Sequence, residues 1–130
     1  MDTNQAKSLK WPRRALVVDD TQIGLEAARD CLEASGIHAD CVRSGWEAIA
    51  LIMKETERYD IIFMDYYMPG IDGLETAKGI RETIKSEYAR QVPIIAYTSA
   101  DPGGTTINFL ESGFSDFLAK PMNMDKIRGI

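Results

Sequence analysis

Residues 61–73 read Ile61-Ile62-Phe63-Met64-Asp65-Tyr66-Tyr67-Met68-Pro69-Gly70-Ile71-Asp72-Gly73, and this stretch decides the fold of the chain. A short apolar run bounded by turn formers is typical of a β-strand that is buried on both faces. Asp65 would then follow the carboxyl end of a strand, which is where ligands bind in parallel α/β sheets. The proline and the glycines after it predict a tight loop. Such a carboxylate could serve as a metal ligand, as a nucleophile, or simply as a loop or helix-capping residue.

The composition is typical of an acidic globular domain. Of 130 residues, 45% are apolar and 27% are charged, which suits a chain that folds around its own hydrophobic core. The formal net charge of −5, without a long run of Lys or Arg, argues against direct nucleic-acid binding. No apolar run approaches the ~18 residues of a membrane span, and no secretory leader is visible. We therefore expect no membrane insertion and a cytoplasmic location.

The chain divides into a short tail and one folded domain. Residues 1–13 are polar and lack periodicity, so we interpret them as an N-terminal tail or linker. Residues 14–130 are expected to form the domain, with a short or truncated final helix. Cys31 and Cys41 lie outside any metal-binding or disulfide spacing, and we interpret them as buried free thiols.

Five apolar segments alternate with helical patterns. The predicted strands span residues 15–18, 37–42, 61–64, 93–97 and 116–119, and polar interruptions place the second one at an edge of the sheet. The predicted helices span residues 21–35, 44–56, 73 to somewhere within 85–90, about 105–112, and a final segment of under two turns that Asn123 or Asp125 caps. This alternation predicts an α/β fold with a doubly wound parallel sheet and helices on both faces.

Helical spacing also predicts which side of each helix faces the core. The apolar positions that recur at this spacing in the first three helices are Ile23, Ala27, Ala28, Cys31 and Leu32, then Trp46, Ile49, Ala50 and Met53, then Leu74, Ala77, Ile80 and Ile84. We expect these side chains to pack on the sheet. Ser44 followed by Glu47 predicts a capping box at the start of the second helix.

Polar side chains follow four of the predicted strands at their carboxyl ends. They are Asp19 and Asp20 after the first strand, Asp65 after the third, Thr98 after the fourth and Lys120 after the fifth. Because these strand ends share one edge of a parallel sheet, we expect the side chains to converge on one cleft. Three neighbouring carboxylates would raise one another's pKa values unless a cation neutralises them. A hard dication with oxygen ligands, such as Mg²⁺, would do so.

The other groups of this cleft suit phosphoryl transfer. Lys120 supplies a positive charge that can orient an incoming phosphoryl group, and the Thr98 hydroxyl can hydrogen-bond to a phosphate oxygen. Asp65, ionised at neutral pH from a reference pKa of about 3.9, can attack phosphorus as a carboxylate nucleophile. The product of that reaction would be an aspartyl phosphate.

Four separated motifs carry a resemblance to a known family. They are Val18-Asp19-Asp20, the stretch from Met64 to Gly73, Ile94-Ile95-Ala96-Tyr97-Thr98-Ser99, and Asp116-Phe117-Leu118-Ala119-Lys120-Pro121. With these motifs in this order, the chain resembles the receiver domains of two-component response regulators between residue 15 and about residue 127. The resemblance implies a flavodoxin-like fold with strand order 2-1-3-4-5, and it makes residues 14–130 a receiver domain.

The resemblance also implies a role for each residue of the cleft. Asp65 is expected to be the phosphoacceptor, with Lys120 bound to a phosphoryl oxygen. Mg²⁺, for which Mn²⁺ can substitute, is expected to bind Asp65, Asp20, the main-chain carbonyl of Tyr67 and, through water, Asp19. The phosphoryl donor would be a histidine kinase or a histidine phosphotransfer domain. The domain would catalyse its own phosphorylation and dephosphorylation without being a classical enzyme.

A conformational switch is a further implication of the resemblance. Thr98 would move towards the phosphate and let Phe117 rotate inwards, which would change the face built from the fourth predicted helix, the fifth strand and the fifth helix. Homodimerisation could use the same face. A plain core aromatic is an equally good interpretation of Phe117, which lacks the hydroxyl of the tyrosine often found there.

The chain departs from the family pattern in three places. Gly24-Leu25 stands where many receivers of hybrid histidine kinases carry Asn-Arg, so the start of the first helix is expected to pack differently. Tyr67 and Ala100 occupy two positions that tune phosphoryl lifetime and offer neither an acid nor an amide, from which we predict slow self-dephosphorylation. The final helix, ending at Ile130, is shorter than is usual.

Two alternative functions stay open at this point. A Mg²⁺-dependent phosphatase with an aspartate nucleophile would share the sheet and the chemistry, although Tyr67 stands where such enzymes need a second acid. A pseudo-receiver that is never phosphorylated would serve only as an interaction module, and failure to bind Mg²⁺ would be its signature. The identity of the donor kinase and the output response are not readable from the sequence.

Overall fold

Short, wholly apolar runs build the centre of the molecule. The computed structural model describes residues 12–54, 58–98 and 113–128. The strands are β1 Arg14–Val18, β2 His38–Val42, β3 Ile61–Met64, β4 Ile94–Thr98 and β5 Asp116–Ala119. They pair in parallel in the order β2-β1-β3-β4-β5, which confirms the predicted topology and the edge position of β2.

Helices connect the strands on both sides. The described helices are α1 Gln22–Ala34, α2 Gly45–Lys54, α3 Gly73–Lys78, which a π-helical turn Gly79–Thr83 continues, α4 Glu87–Gln91 and α5 Met124–Arg128. Asn123 rather than Asp125 caps α5, because its Oδ1 accepts the Lys126 N–H at 2.9 Å. The predicted helix at about 105–112 lies outside the described residues. Within the described part of the chain, none of the helices combines the length and the apolar character needed to cross a membrane.

The strand alternation divides the core into two halves. Leu16 and Val18 of β1 belong to a cluster that takes Ala48 and Ile52 from α2, with further residues from α3 and α4. The residues of β1 that point to the other face pack into a second cluster with α1 and α5. This cluster contains Ala15, Val17, Leu25, Ala28, Leu32 and Ile127. Successive strand residues point to opposite faces, so β3 and β4, which are buried at every position, must be covered on both faces.

The predicted core faces of α1 and α2 are wrong in part. Ile23 is 82% exposed, Trp46 64% and Met53 57%, while Leu25, Ala28 and Leu32 of α1 are buried. In α2 the buried residues are Gly45, Ala48 and Ile52, and Ala50 is exposed. Both helices carry more apolar residues than one face can bury, so helical spacing alone does not decide which stripe packs on the sheet.

The third predicted helix is shorter than expected. It ends in the π-helical turn at Thr83, and Ser86 then caps the separate helix α4, which the sequence did not predict. Tyr88 of α4 anchors this helix to the start of β3. Its hydroxyl accepts the Tyr59 N–H at 2.7 Å and donates to the Tyr59 carbonyl at 2.9 Å. A side chain therefore satisfies both backbone groups of Tyr59.

Two smaller predictions are confirmed only in part. Only half of the capping box at α2 forms, because Ser44 accepts the Glu47 N–H while the Glu47 carboxylate accepts the N–H of Arg43 instead. Cys31 and Cys41 are free thiols, as predicted, but they are half-buried rather than buried. Residues 1–11 lie outside the described part of the chain.

Candidate functional site

Four of the five polar residues predicted to converge, Asp19, Asp20, Asp65 and Lys120, lie together. Asp19 and Asp65 each follow the last paired residue of their strands, where Val18 is in register with Met64. The Asp65 N–H donates to the Val18 carbonyl at 2.8 Å, which extends the ladder and sets the two aspartates side by side. Asp19, Asp20 and Asp65 each offer a carboxylate oxygen, and these oxygens lie within 4.8 Å of one another. On the other side of β3, the Lys120 N–H donates to the Thr98 carbonyl at 3.0 Å.

Asp19 is fully buried and both of its oxygens are engaged. Oδ1 accepts hydrogen bonds from the Thr21 N–H at 2.9 Å and from the Thr21 hydroxyl at 3.0 Å. Oδ2 accepts from the Lys120 ammonium at 2.6 Å. The Asp19 carboxylate is therefore held by the first turn of α1 on one side and by a cation on the other.

Gly24 makes this position of Asp19 possible. A Cβ atom at position 24 would overlap Asp19 Oδ2 and lie 2.7 Å from Thr21 Oγ1. The neighbouring Leu25 is buried in the core under α1. The departure at Gly24-Leu25 is thus a packing feature, in which one residue leaves room for the Asp19 carboxylate and the next anchors the helix.

Asp65 is less well compensated than Asp19. It is 7% exposed, with Oδ2 3.5 Å from the Lys120 ammonium and Oδ1 3.4 Å from the Tyr67 N–H. Burial raises the pKa of the Asp65 carboxyl, the charge of Lys120 lowers it, the charge of Asp19 raises it, and the net direction is upward. Of these two aspartates, Asp65 is the one whose charge the surroundings stabilise less.

Lys120 is held between the aspartates and an aromatic ring. Burial lowers the pKa of its ammonium group, but the hydrogen bond to Asp19 and the charges of Asp65 and Asp19 outweigh burial and raise it. Lys120 is therefore charged at neutral pH. Its Nζ also lies 5.1 Å from the centre of the buried Tyr97 ring, a cation–π distance. The sequence had identified Tyr97 only as a strand residue, although its place directly before Thr98 was a usable signal.

Thr98 and Phe117 lie on the neighbouring strands β4 and β5. Thr98 is buried at the end of β4 and is in register with Ala119. Phe117 is half-buried, is in register with Ala96, and packs against the cluster under α2, α3 and α4. Residues 99–112, which include Ala100 and the predicted helix of the switch face at about 105–112, lie outside the described residues.

The loop after Asp65 is held rigidly. Gly70 has a φ of +82°, and a Cβ at Gly73 would overlap the Asp65 carbonyl oxygen and lie 2.8 Å from the Tyr66 Cα. Asp72 and Glu75 form a complete capping box at the start of α3. Tyr67 lies in this loop, 58% exposed, with its ring edge-on to that of Tyr66. The backbone at Asp65 is therefore fixed from both sides.

Similarity to known proteins extends over most of the chain. The family described as response regulator receiver domain matches residues 15–130. Hybrid signal transduction histidine kinase L of Dictyostelium discoideum is 34% identical over 118 residues, which are 90% of this chain and 7% of that kinase. The chain thus spans a small part of that relative's length.

Solved structures show the same similarity. The receiver domain of the histidine kinase CKI1 from Arabidopsis thaliana, complexed with Mg²⁺ and BeF₃⁻, is 32% identical with a TM-score of 0.79, covering 90% of this chain and 88% of that one. The receiver domain of sensor histidine kinase PA1611 from Pseudomonas aeruginosa PAO1 has a magnesium ion coordinated in its active-site cleft. It is 30% identical with a TM-score of 0.76, covering 92% of this chain and 93% of that one.

Proposed function

This chain belongs to the response regulator receiver domain family, and from that premise we propose that Asp65 accepts the phosphoryl group in a two-component signalling pathway. Receiver domains interact with histidine kinases or with histidine phosphotransfer proteins, so one of these would be the donor. The observation that carries the assignment is the placement of Asp65 at a strand end, 3.5 Å from Lys120 and beside two further aspartates.

The cluster fits the divalent cation that receiver domains bind. Its oxygen donors are those that Mg²⁺ prefers. Lys120 forms ion pairs with Asp19 and Asp65, and its single charge does not balance three carboxylates. We propose that Asp20, Asp65 and the Tyr67 carbonyl would hold Mg²⁺ or Mn²⁺, with Asp19 acting through water. When bound, the cation neutralises charge on the phosphoryl oxygens.

In the transfer of the phosphoryl group to Asp65, each residue of the site has a separate role. An ionised Asp65 oxygen forms a bond to phosphorus while the bond from phosphorus to the donor's imidazole nitrogen breaks, and that nitrogen keeps the electron pair. Lys120 stays protonated and binds a phosphoryl oxygen, and the Thr98 hydroxyl donates a hydrogen bond to another. No proton leaves Asp65, because the carboxylate is already ionised when it attacks.

Thr98 and Phe117 would pass the signal on. We propose that Thr98 moves towards the phosphate and that Phe117, half-buried beside it on β5, turns inwards. The changed surface would include β5, α5 and the segment at about 105–112. A homodimer through that surface would depend on phosphorylation.

Three further assignments complete the proposal. Residues 14–130 form the receiver domain and residues 1–13 a tail or linker. The free thiols of Cys31 and Cys41 suit a reducing compartment, and we place the protein in the cytoplasm. The net charge of −5 favours protein partners over direct binding of nucleic acid.

Intact-mass measurement tests the proposal. The protein would be incubated with acetyl phosphate in the presence of EDTA, Mg²⁺ or Mn²⁺, together with the variants Asp65→Asn and Asp30→Asn. Asp30 is exposed on α1 and serves as the matched control. We expect a cation-dependent gain of one phosphoryl group in the parent and in Asp30→Asn, and none in Asp65→Asn.

The other outcomes point to the alternative functions. A parent chain that gains no phosphoryl group and binds no Mg²⁺ would be a pseudo-receiver. Hydrolysis of a phosphate ester with many turnovers would indicate a phosphatase, although Tyr67 offers no acid two residues after Asp65 to protonate a leaving group.

A further inference from the structure

Helix α2 carries an apolar stripe that the fold does not use. Trp46, Ala50 and Met53 are all exposed, at spacings of four and three residues that place them on one side of the helix. The opposite side packs on the sheet through Gly45, Ala48 and Ile52. Trp46 and Met53 rank among the four large hydrophobic side chains found exposed in the described residues. A contiguous stripe of this kind, unlike a single exposed apolar residue, marks an interaction surface.

Two opposite charges flank the stripe along one edge. Glu47 lies in the first turn of α2 and Lys54 in the last, and both are exposed. At about 100° per residue they point within roughly 20° of each other, on the same side of the stripe. Along the axis they are seven residues apart, roughly 10 Å. The stripe therefore has an acidic end and a basic end on the same flank.

We propose that α2 is a self-association surface on which two copies of this chain pair antiparallel. A two-fold axis near Ala50 places Trp46 against Met53 of the second copy, and the small Ala50 lets the two helices approach closely. The same operation brings Glu47 opposite Lys54 of the second copy, twice per dimer, and aligns the helix dipoles favourably. In a parallel two-fold pair the charged flanks of the two copies would lie on opposite sides of the interface, and Glu47 would not meet Lys54 of the second copy. The charge pattern therefore favours the antiparallel arrangement.

The expected dimer is weak. A contact between two helices of this length buries less than the ~1,200 Å² typical of stable interfaces. Its energy would come mainly from the tryptophan and from its contact with the methionine sulfur, while the exposed ion pairs contribute little and fix the orientation. The dimer should therefore depend on protein concentration and, unlike a dimer through β5 and α5, should form without phosphorylation.

Sedimentation velocity of the 130-residue chain, without phosphodonor and over a concentration series, tests this surface. Trp46→Glu is compared with Ile23→Glu, which places the same charge at an apolar residue that is 82% exposed on α1. We expect a concentration-dependent dimer in the parent and in Ile23→Glu, and a dissociation constant at least about 10-fold higher in Trp46→Glu. Circular dichroism would confirm that each variant is folded.

Cysteine cross-linking tests the two-fold axis. Under mild oxidation, Ala50→Cys should form a disulfide-linked dimer much faster than Ala27→Cys, in which an exposed alanine of α1 is replaced in the same way. A parent chain that stays monomeric at millimolar concentration would overturn the proposal. So would equal effects of the two glutamate substitutions, or equal cross-linking of the two cysteine variants.

Discussion

Asp19 and Asp65 share one lysine, and they share it unequally. The Lys120 ammonium lies 2.6 Å from Asp19 and 3.5 Å from Asp65, and Thr21 donates two more hydrogen bonds to Asp19 alone. Asp65 is buried with less compensation, which raises the pKa of its carboxyl. Of these two aspartates, the one proposed to react is thus the one that has fewer partners to stabilise its charge in the folded state.

Replacing Asp65 by Asn should stabilise the cation-free protein. A pKa that is raised in the folded state contributes stability below the unfolded pKa, and this contribution is lost as the pH rises through the folded pKa. At pH 7 the ionised Asp65 therefore destabilises the fold, whereas the amide carries no charge. We expect a thermal midpoint a few degrees above the parent in EDTA, the shift that about 1 kcal/mol produces in a domain of this size.

Thermal unfolding at several pH values checks this expectation. The difference between Asp65→Asn and the parent should shrink as the pH falls through the raised pKa of Asp65, while Asp30→Asn follows the parent throughout. A midpoint for Asp65→Asn at or below the parent at pH 7 would show that the surroundings of Asp65 stabilise its charge after all.

Replacing Tyr67 by Asn should shorten the life of the aspartyl phosphate. Tyr67 stands two residues after Asp65, and its phenol offers no amide to position an attacking water. We expect the half-life of the phosphorylated protein, followed by intact mass after removal of the phosphodonor, to fall several-fold. Tyr67→Phe keeps a ring without an amide and should match the parent. An unchanged half-life in Tyr67→Asn would refute the slow hydrolysis predicted from the sequence.

At the scale of residues, the sequence predicted which charged residues form the site but not which contacts orient them. Strand-end position was enough to predict that Asp19, Asp20, Asp65 and Lys120 lie together. The roles of Thr21 and Gly24 could not be predicted from the sequence, because they depend on which rotamer the Asp19 side chain adopts. The contacts of Asp19 with Thr21 at the start of α1 and with the distant Lys120 fix that rotamer, and Gly24 leaves room for it.

At the scale of elements, the loop between β3 and α3 is the least tolerant of change. Gly73→Ala would drive a Cβ into the Asp65 carbonyl oxygen, which is backbone and cannot move without moving the site. We expect a loss of about 2–4 kcal/mol in the free energy of unfolding, measured by chemical denaturation.

Gly79→Ala is the matched control for Gly73→Ala. Gly79 has helical φ and ψ of −60° and −43°, and its new Cβ would meet the tip of the Ile49 side chain, at 3.0 Å. Alanine has a slightly higher helix propensity than glycine, and the close contact with Ile49 can be relieved by a small movement of that side chain. We therefore expect the free energy of unfolding to change by less than about 1 kcal/mol. Equal losses in the two variants would mean that the loop is not specially constrained.

Strands were easier to predict than helix faces. The apolar runs of the central strands β1, β3 and β4 are buried on both sides and have no face to choose. Each of the five predicted strands lies within one residue of the observed one. Helices α1 and α2 each offered two overlapping apolar stripes, and packing of Ala28 and Ala48 on the sheet chose between them. Helix α4 has five residues and no periodicity to detect, so its capping and its anchor at Tyr88 are tertiary in origin.

At the scale of the whole molecule, Asp40 joins the edge of the sheet to its centre. Its carboxylate on β2 accepts hydrogen bonds from Arg14 of β1 at 3.0 Å, from the Tyr59 hydroxyl at 2.7 Å and from His38 at 3.0 Å. Partial burial raises the pKa of the Asp40 carboxyl, but these three hydrogen bonds together with the charge of His38 lower it overall.

Asp40 should therefore contribute to stability except in acid. A lowered folded-state pKa gives stability that is present above the unfolded value of about 3.9 and is lost as the pH falls through the folded value. Asp40→Asn should lower the thermal midpoint at pH 7 and flatten the loss of stability below about pH 4. Asp125→Asn, whose side chain is 96% exposed, is the control and should reproduce the parent profile. An Asp40→Asn profile parallel to the parent would contradict this assignment.

The Tyr88 hydroxyl makes the two hydrogen bonds with the Tyr59 backbone that a neighbouring strand would otherwise make. Hydrogen exchange at Tyr59 can therefore be used to observe motion of α4. While Tyr88, 29 residues later in the chain, stays docked, its hydroxyl accepts the Tyr59 N–H and protects that amide proton from exchange with solvent. Each opening of α4 that withdraws the phenol also exposes that proton. The exchange rate of a single amide at the start of β3 therefore reports how often a helix elsewhere in the chain detaches, without any label on the helix itself.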